Sequence, residues 1–238
     1  MKNAARTVWI TGASSGIGRA LAKTFASNGD SVIATARSED KLDQLRSELE
    51  SLGHRCDVYR CDVQQESSIR ATIQFILEKY STVDLLINNA GVTYFKSFLD
   101  TTTEEFDHTI GTNLKGAFLC TKAVLPVMLA KNAGLILNIV SVTVKSVFTN
   151  SAVYAASKAG LQAMMDVLRA EVRGKGIQIV NAFPGAVLTP IWHPRQQEKY
   201  HDRMIEPDRI AELLFQVSHQ PSSMMVEEIV IRPQMGDL

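Results

Sequence analysis

The sequence predicts an α/β fold: a doubly wound, seven-stranded parallel sheet with helices on both faces, in three α/β/α layers. Three observations carry that expectation. Short apolar runs alternate with longer amphipathic stretches along the whole 238-residue chain, the pattern of strands crossing over through helices. A glycine-rich turn joins the first apolar run to the first amphipathic stretch. No internal repeat, low-complexity tract or Pro/Gly-rich linker interrupts the alternation, so residues 1–238 read as one domain, the size and 45% hydrophobic content sufficing for its core.

Taken in order, strands are expected at Val8 to Thr11, Ser31 to Ala36, Val58 to Cys61, Val83 to Asn88, Leu135 to Ser141, Ile177 to Phe183 and Met225 to Ile231. Each is a brief run, as expected of strands buried on both faces. Helical periodicity fills the intervals at Arg19 to Ser27, Lys41 to Leu52, Ser67 to Lys79, Phe106 to Lys131, Ala152 to Arg173 and Pro207 to Ser218. The stretch 185–206 fits neither pattern. It is long for a connection and carries Trp192, His193, Tyr200 and His201, so it reads as a substrate loop.

Lys+Arg and Asp+Glu each total 25, and this neutral balance offers no basic excess for nucleic acid or an anionic membrane. Cys56, Cys61 and Cys120 form no C-x-x-C pair and are odd in number, so a reducing, cytoplasmic setting is expected, without disulfides or a zinc cluster. Met1 to Arg6 with the run that follows is too brief for a signal-peptide core, and no apolar run approaches the roughly 20 residues of a membrane span. His54, His108, His193, His201 and His219 are scattered without ligand spacing, so no metal site is expected. His193 and His201 stand where they can meet substrate.

The turn Thr11-Gly12-Ala13-Ser14-Ser15-Gly16-Ile17-Gly18 follows a strand and opens a helix, where a Rossmann-like sheet binds pyrophosphate. Gly12 supplies unusual backbone angles, Gly16 a close approach to phosphate and Gly18 tight packing of helix on strand. The helix N-terminus offers free N–H groups and a positive dipole end. A plain tight turn is the competing reading. The second strand ends at Ala36-Arg37: no carboxylate stands there to receive an NAD ribose, and a guanidinium is present for a 2′-phosphate. NADP(H) is therefore expected over NAD(H), the competing reading being a surface Arg37 paired with Glu39.

Tyr154 and Lys158 stand four residues apart in Tyr-Ala-Ala-Ser-Lys, on one face of a helix. A neighbouring ammonium lowers a phenol's pKa from its free value of about 10, fitting it for proton transfer. The same spacing also occurs on ordinary helix surfaces.

Several further motifs follow in a fixed order: Asp62-Val63, Asn88-Asn89-Ala90-Gly91 after the fourth strand, Asn113 in a helix, Ser141 after the fifth strand, Tyr154-x-x-x-Lys158, and Pro184-Gly185 followed by Thr189. Together with the glycine turn they resemble the short-chain dehydrogenase/reductase family, of NADP(H)-preferring type, over nearly the whole chain. The resemblance implies an oxidoreductase with Tyr154 as general acid/base, Ser141 bonding the substrate oxygen and Lys158 tuning the tyrosine and gripping the nicotinamide ribose. Asn113 would bind a water linking Lys158 to solvent protons. For the coenzyme it implies Gly12, Ser14, Ser15, Gly16, Ile17 and Gly18 at the pyrophosphate turn, Arg37 at the 2′-phosphate, and Asp62 with Val63 at the adenine. Asn89, Ala90 and Gly91 would lie along the adenosine, with Tyr154 and Lys158 at the ribose. Pro184, Gly185, Val187 and Thr189 would sit toward the carboxamide. Asp62 capping a turn, Asn89 holding strands together and Thr189 capping before Pro190 are the structural alternatives.

The expected reaction is hydride transfer between NADP(H) and the carbonyl or alcohol carbon of a small or medium organic substrate. The alternatives are a non-catalytic NADP(H)-binding redox sensor and a 3-ketoacyl-thioester reductase. Substrate is expected between Thr93 to Lys96, Val142 to Phe148 and Val187 to Arg203, where Tyr94, Phe95, Phe148 and Trp192 offer apolar surface and Lys96, Lys145 and Arg195 offer positive charge. No nucleic acid or membrane partner is expected. The resemblance implies a homodimer or homotetramer through the helices at Thr103–Lys131 and Ala152–Arg173.

Overall fold

In the computed structural model, residues 5–221 and 223–238 are described. Residues 1–4 of the stretch weighed as a signal segment and as the start of the 1–238 domain lie outside them. The chain runs β1 (Thr7–Thr11), α1 (Gly16–Ser27), β2 (Ser31–Ala36), α2 (Glu39–Ser51), β3 (Cys56–Arg60), α3 (Glu66–Tyr80), β4 (Leu85–Asn88), α4 (Thr103–Ile110), α5 (Ala117–Lys131) and β5 (Gly134–Ile139). It continues with α6 (Ala152–Val172), β6 (Ile177–Pro184), α7 (Pro194–Tyr200), α8 (Pro207–Val217) and β7 (Glu228–Ile231). All strand pairs are parallel, in the order β3-β2-β1-β4-β5-β6-β7. The order reverses between β1 and β4, and such a switch point opens a crevice at the carboxyl ends of the strands.

The inner strands read as apolar runs because alternate side chains enter two separate cores. Val8, Ile10, Val32, Ala34, Leu85 and Ile87 pack against α1, α2 and α8, with Leu21, Phe25, Leu42, Leu45, Ile210 and Leu214. Trp9, Ile33, Leu86 and Ile136 point the other way, onto Ile69 and Ile76 of α3, Val124 and Met128 of α5, and Leu161 and Met165 of α6. Burying each large side chain contributes about 1.5–3 kcal/mol. The buried Trp9 indole is paired, donating to Thr35 Oγ1 at 3.0 Å.

A row of asparagines crosses the sheet. Asn88 stands opposite Asn138, and Asn138 opposite Asn181. Asn88 Nδ2 donates to Asn138 Oδ1 at 2.9 Å, Asn138 Nδ2 to Asn181 Oδ1 at 3.0 Å, and Asn181 Nδ2 to Asp166 Oδ1 of α6 at 3.0 Å. The buried Arg169 guanidinium closes the row on Asp166.

The expected helix from Phe106 to Lys131 is more complex. It starts earlier, where Thr102 accepts from the Glu105 N–H and Glu105 returns a bond to the Thr102 N–H, a capping box. Between α4 and α5, Gly111–Gly116 winds as a π-helix, a local widening often found at functional sites. Its cause is on both flanks. Asn113 is tied to the Val92 backbone in both directions, and a Cβ at Gly116 would lie 2.7 Å from Val63 Cγ2. The continuous stretch Thr103–Lys131 is long and apolar enough by composition to cross a membrane; 44% of its most apolar window is buried inside the protein, where Leu119, Cys120, Val124 and Met128 join the core. The 185–206 segment is likewise more ordered than a loop. Val187 and Ile205 bridge its ends, and α7 with a 3₁₀ turn at His201–Arg203 fills it.

Candidate active site

A cavity of about 590 Å³ opens at the switch point, within the roughly 300–1,000 Å³ usual for ligand sites. Gly12, Ser14, Ser15, Gly16 and Ile17 form one wall, Arg37, Asp62, Val63, Asn89, Ala90 and Gly91 the next, and Ser141, Tyr154, Lys158, Pro184, Gly185, Val187 and Thr189 the far end. Of the anticipated residues, Gly18 and Asn113 do not line it and act from behind.

The glycine turn is built by necessity. Gly12 and Gly16 have φ of +67° and +53°, which side chains resist. A Cβ on Gly12 would approach Ala90 Cα to 2.7 Å, and one on Gly18 would meet Asn89 Nδ2 at 2.3 Å and Gly12 O at 2.4 Å. Asn89 explains the tightness: its Nδ2 donates to Thr11 O at 2.9 Å and Gly12 O at 3.1 Å, so it holds β4 to the turn while its residue lines the cavity. Ser15 precedes α1 without spending its hydroxyl on a cap, and the first turn has no acidic side chain. The leading N–H groups therefore face the cavity with their positive end intact.

At the end of β2, Arg37 lines the cavity together with Ser38 and Lys41. Among the described ion pairs none joins Arg37 to Glu39; the guanidinium contact is His108 Nε2 at 3.5 Å. Asp62 accepts from the Gln64 N–H at 3.0 Å, a turn cap on the cavity wall. Thr189 Oγ1 donates to Val187 O at 3.4 Å, so it bonds back along its own strand exit.

Tyr154 and Lys158 share one face of α6 as the spacing predicts, but the electrostatics differ from expectation. Lys158, 3% exposed, donates from Nζ to Ile139 O at 2.7 Å and lies 5.8 Å from the Tyr154 ring centroid. Burial pushes the Tyr154 phenol up to about 12, opposed by a hydrogen bond from Ser141. Burial also pulls Lys158 down to about 8. In this arrangement desolvation is the largest influence on the phenol and outweighs the lowering that a neighbouring ammonium was expected to bring. A neutral phenol beside a hydroxyl has an O–H available to donate.

Ser141 heads a 3₁₀ turn at Val142–Val144, its Oγ accepting from the Thr143 N–H at 3.2 Å. Asn113, 1% exposed, accepts from the Val92 N–H at 2.8 Å and donates to Val92 O at 2.9 Å and Ser157 Oγ at 3.0 Å. Its side chain is thus first a brace between the β4 exit and α6. A Cβ at Gly91 would stand 3.4 Å from Asn113 Oδ1 and 3.5 Å from Lys158 Nζ, so glycine there keeps open the gap between these two groups.

At the end expected to take substrate, Phe95, Phe148 and Trp192 line the cavity with Thr93, Val142, Thr143 and Ile191 of the same segments, whereas Tyr94, which contacts His108, and Arg195 do not. Phe95 and Trp192 stack with centroids 5.2 Å apart and planes at 19°. Two of the expected cations are already neutralised: Lys96 pairs with Glu105 at 2.6 Å and Lys145 with Glu228 at 2.8 Å. His193 instead caps α7, accepting from the Arg195 N–H, and His201 pairs with Asp202; neither lines the cavity. Sequence reading missed Thr112, Lys41 and the tail residues Asp237 and Leu238, which all do. Arg232 pairs with Asp237 and also donates to Ser146 Oγ, while Arg203 donates to Asp237 O. Only the tertiary return of the tail marks these residues; no local motif does. Buried Thr93 Oγ1, Thr112 Oγ1, Thr143 Oγ1 and Asp237 Oδ1 have no partner among the described residues, so polar atoms of a bound molecule could satisfy them.

A cavity of this shape at the switch point of a doubly wound sheet defines a dinucleotide-binding class of α/β protein. Comparison gives the family. The short chain dehydrogenase model matches residues 6–200, and the chain belongs to the short-chain dehydrogenase/reductase family. It is 35% identical over 236 residues to sepiapterin reductase of Chlorobaculum tepidum, covering 96% of each chain. It is 32% identical to the 3-oxoacyl-[acyl-carrier-protein] reductase FabG of Thermotoga maritima, covering 93% of each. A metagenomic short-chain oxidoreductase solved in complex with NADP superposes with a TM-score of 0.86 at 30% identity, covering 98% of this chain and 99% of that one.

Proposed function

We propose that this chain is a single-domain NADP(H)-dependent carbonyl reductase or alcohol dehydrogenase acting on a small or medium organic substrate. The observation that carries the reading is one cavity lined both by the glycine turn with Arg37 and by Ser141, Tyr154 and Lys158. The residues present fit the coenzyme. Positive-φ glycines and the uncapped α1 N-terminus suit a pyrophosphate, and Arg37, paired with no carboxylate among the described residues, suits a 2′-phosphate.

Bound there, the coenzyme would supply or accept the hydride. Ser141 orients the carbonyl oxygen by hydrogen bonding, and Tyr154, kept protonated by burial, gives that oxygen its proton; in oxidation the transfer reverses. Lys158 holds ribose hydroxyls with donors beyond the one given to Ile139 O. The gap kept open by Gly91 gives a water room to reach both Asn113 and Lys158. Similarity to proteins named sepiapterin reductase and 3-oxoacyl-[acyl-carrier-protein] reductase supports the reductive direction. The pairing of Lys96 and Lys145 with acidic partners weighs against an anionic substrate group at this mouth. A homo-oligomer through α4, α5 and α6 would cover the exposed Phe106, Phe118 and Val167.

The test is NADPH oxidation over a panel of aldehydes, ketones, diketones, quinones and 3-oxoacyl thioesters, with alcohols run in reverse. Turnover with a higher kcat/KM for NADPH than NADH is expected. Tight coenzyme binding without turnover on any of them would turn the assignment to a redox sensor.

A further inference from the structure

We propose that His108 is a positioning residue for the coenzyme's 2′-phosphate, holding Arg37 ready without neutralising it. This rests on the NADP(H) reading given above. The geometry begins with a donor problem. A guanidinium has five donors and no acceptor, so in the Arg37 Nη1 contact with His108 Nε2 at 3.5 Å the ring nitrogen must accept. The proton of a neutral imidazole then sits on Nδ1, which faces Tyr94 Oη at 2.7 Å and donates to it. In that tautomer the imidazole bridges a phenol and a guanidinium, its ring centroid 6.0 Å from that of Tyr94.

The chemistry of the partner matters. An arginine meant for phosphate needs a fixed direction, because an unrestrained side chain gives up about 2 kcal/mol of rotamer freedom when it binds. A carboxylate would fix Arg37 firmly but cancel its charge and repel the phosphate. A neutral imidazole supplies an acceptor without that charge, and among the described ion pairs none involves Arg37. His108 belongs to α4, and Thr112, one turn further on, lines the same cavity as Arg37. The arrangement is outside the motifs that mark the coenzyme turn. His108 carried no role in the sequence beyond failing to match a metal pattern.

Equilibrium titration of the full chain with NADPH and with NADH, comparing native protein with R37A, H108F and H108Q, tests the proposal. His108 is only half-buried, and NADH binding reports whether each variant keeps its site. R37A should raise the Kd for NADPH by about tenfold or more and leave NADH within about twofold. H108F, which keeps a flat ring but has no acceptor, should raise the NADPH value roughly three- to tenfold, again sparing NADH, and H108Q should recover most of the loss. If R37A collapses the NADPH preference while H108F leaves it intact, His108 has no such role and the coenzyme reading survives. If H108F weakens both coenzymes equally, its effect is structural and the proposal fails. If R37A itself leaves the preference unchanged, both the proposal and the reading beneath it fall.

Discussion

At position 158 an ammonium is held out of water with one carbonyl as its resolved partner, and the cost has a sign. Burial lowers the Lys158 pKa to about 8 in the folded chain, against an ordinary 10.5. Between those values the unfolded chain binds more protons than the folded one, so this group makes stability rise with pH across that window, and its full cost is present below about pH 8. The buried thiols of Cys56, Cys61 and Cys120, all pushed upward, act in the opposite sense, so the difference between native protein and K158M is the informative quantity. In urea unfolding without coenzyme, K158M should exceed the native protein at pH 7 by up to about 3 kcal/mol and lose that advantage by pH 10.5. A constant difference would contradict the assignment. The Tyr154–Lys158 pairing on one face was legible in the sequence, since it depends only on helix geometry. The direction of the phenol's shift was not, because desolvation comes from residues distant in the chain. For the same reason the free state of Arg37 could be weighed from Ala36-Arg37 but its neighbour His108 could not.

Among the elements, the β1–α1 turn depends most on one missing side chain. Gly18 has ordinary backbone angles; its requirement is space, shared with Asn89 Nδ2 and Gly12 O. G18A should lower stability by about 2–4 kcal/mol and weaken coenzyme binding, whereas G29A, at φ +93° with open space around it, should cost only about 1–2 kcal/mol and leave binding unchanged. Thermal melts and NADPH titration of both variants distinguish these outcomes; equal effects would remove the packing argument. The order G-x-x-x-G-x-G after an apolar run made this turn readable. The π-helical turn at Gly111–Gly116 was not, since its cause is Asn113 bonding to Val92 across the fold. Nor was α7, only seven residues long and too short for a periodic signal.

The molecule as a whole rests on seven parallel strands whose alternation with helices was visible from start to finish, because the inner strands had to be apolar on both faces while the edge strands β3 and β7 kept enough apolar residues to be read. What crosses that apolar sheet was not visible: Asn88, Asn138 and Asn181 stand some 50 and 43 residues apart in sequence and meet only through register. N138A should strand polar atoms of both neighbours in the core and cost about 2–4 kcal/mol in chemical denaturation; a loss under about 0.5 kcal/mol would mean the row is dispensable. The tail's return to the cavity through Asp237, Arg203 and Arg232 was equally hidden. Both devices serve to hold the strand ends where the glycine turn and the Ser141–Tyr154–Lys158 group face one space. The direct test of that convergence is steady-state NADPH-dependent reduction by Y154F, alongside NADPH affinity. Removing the phenol's proton should lower kcat at least about 100-fold with the NADPH Kd within about threefold of native, while an unchanged kcat would contradict Tyr154 as the proton donor.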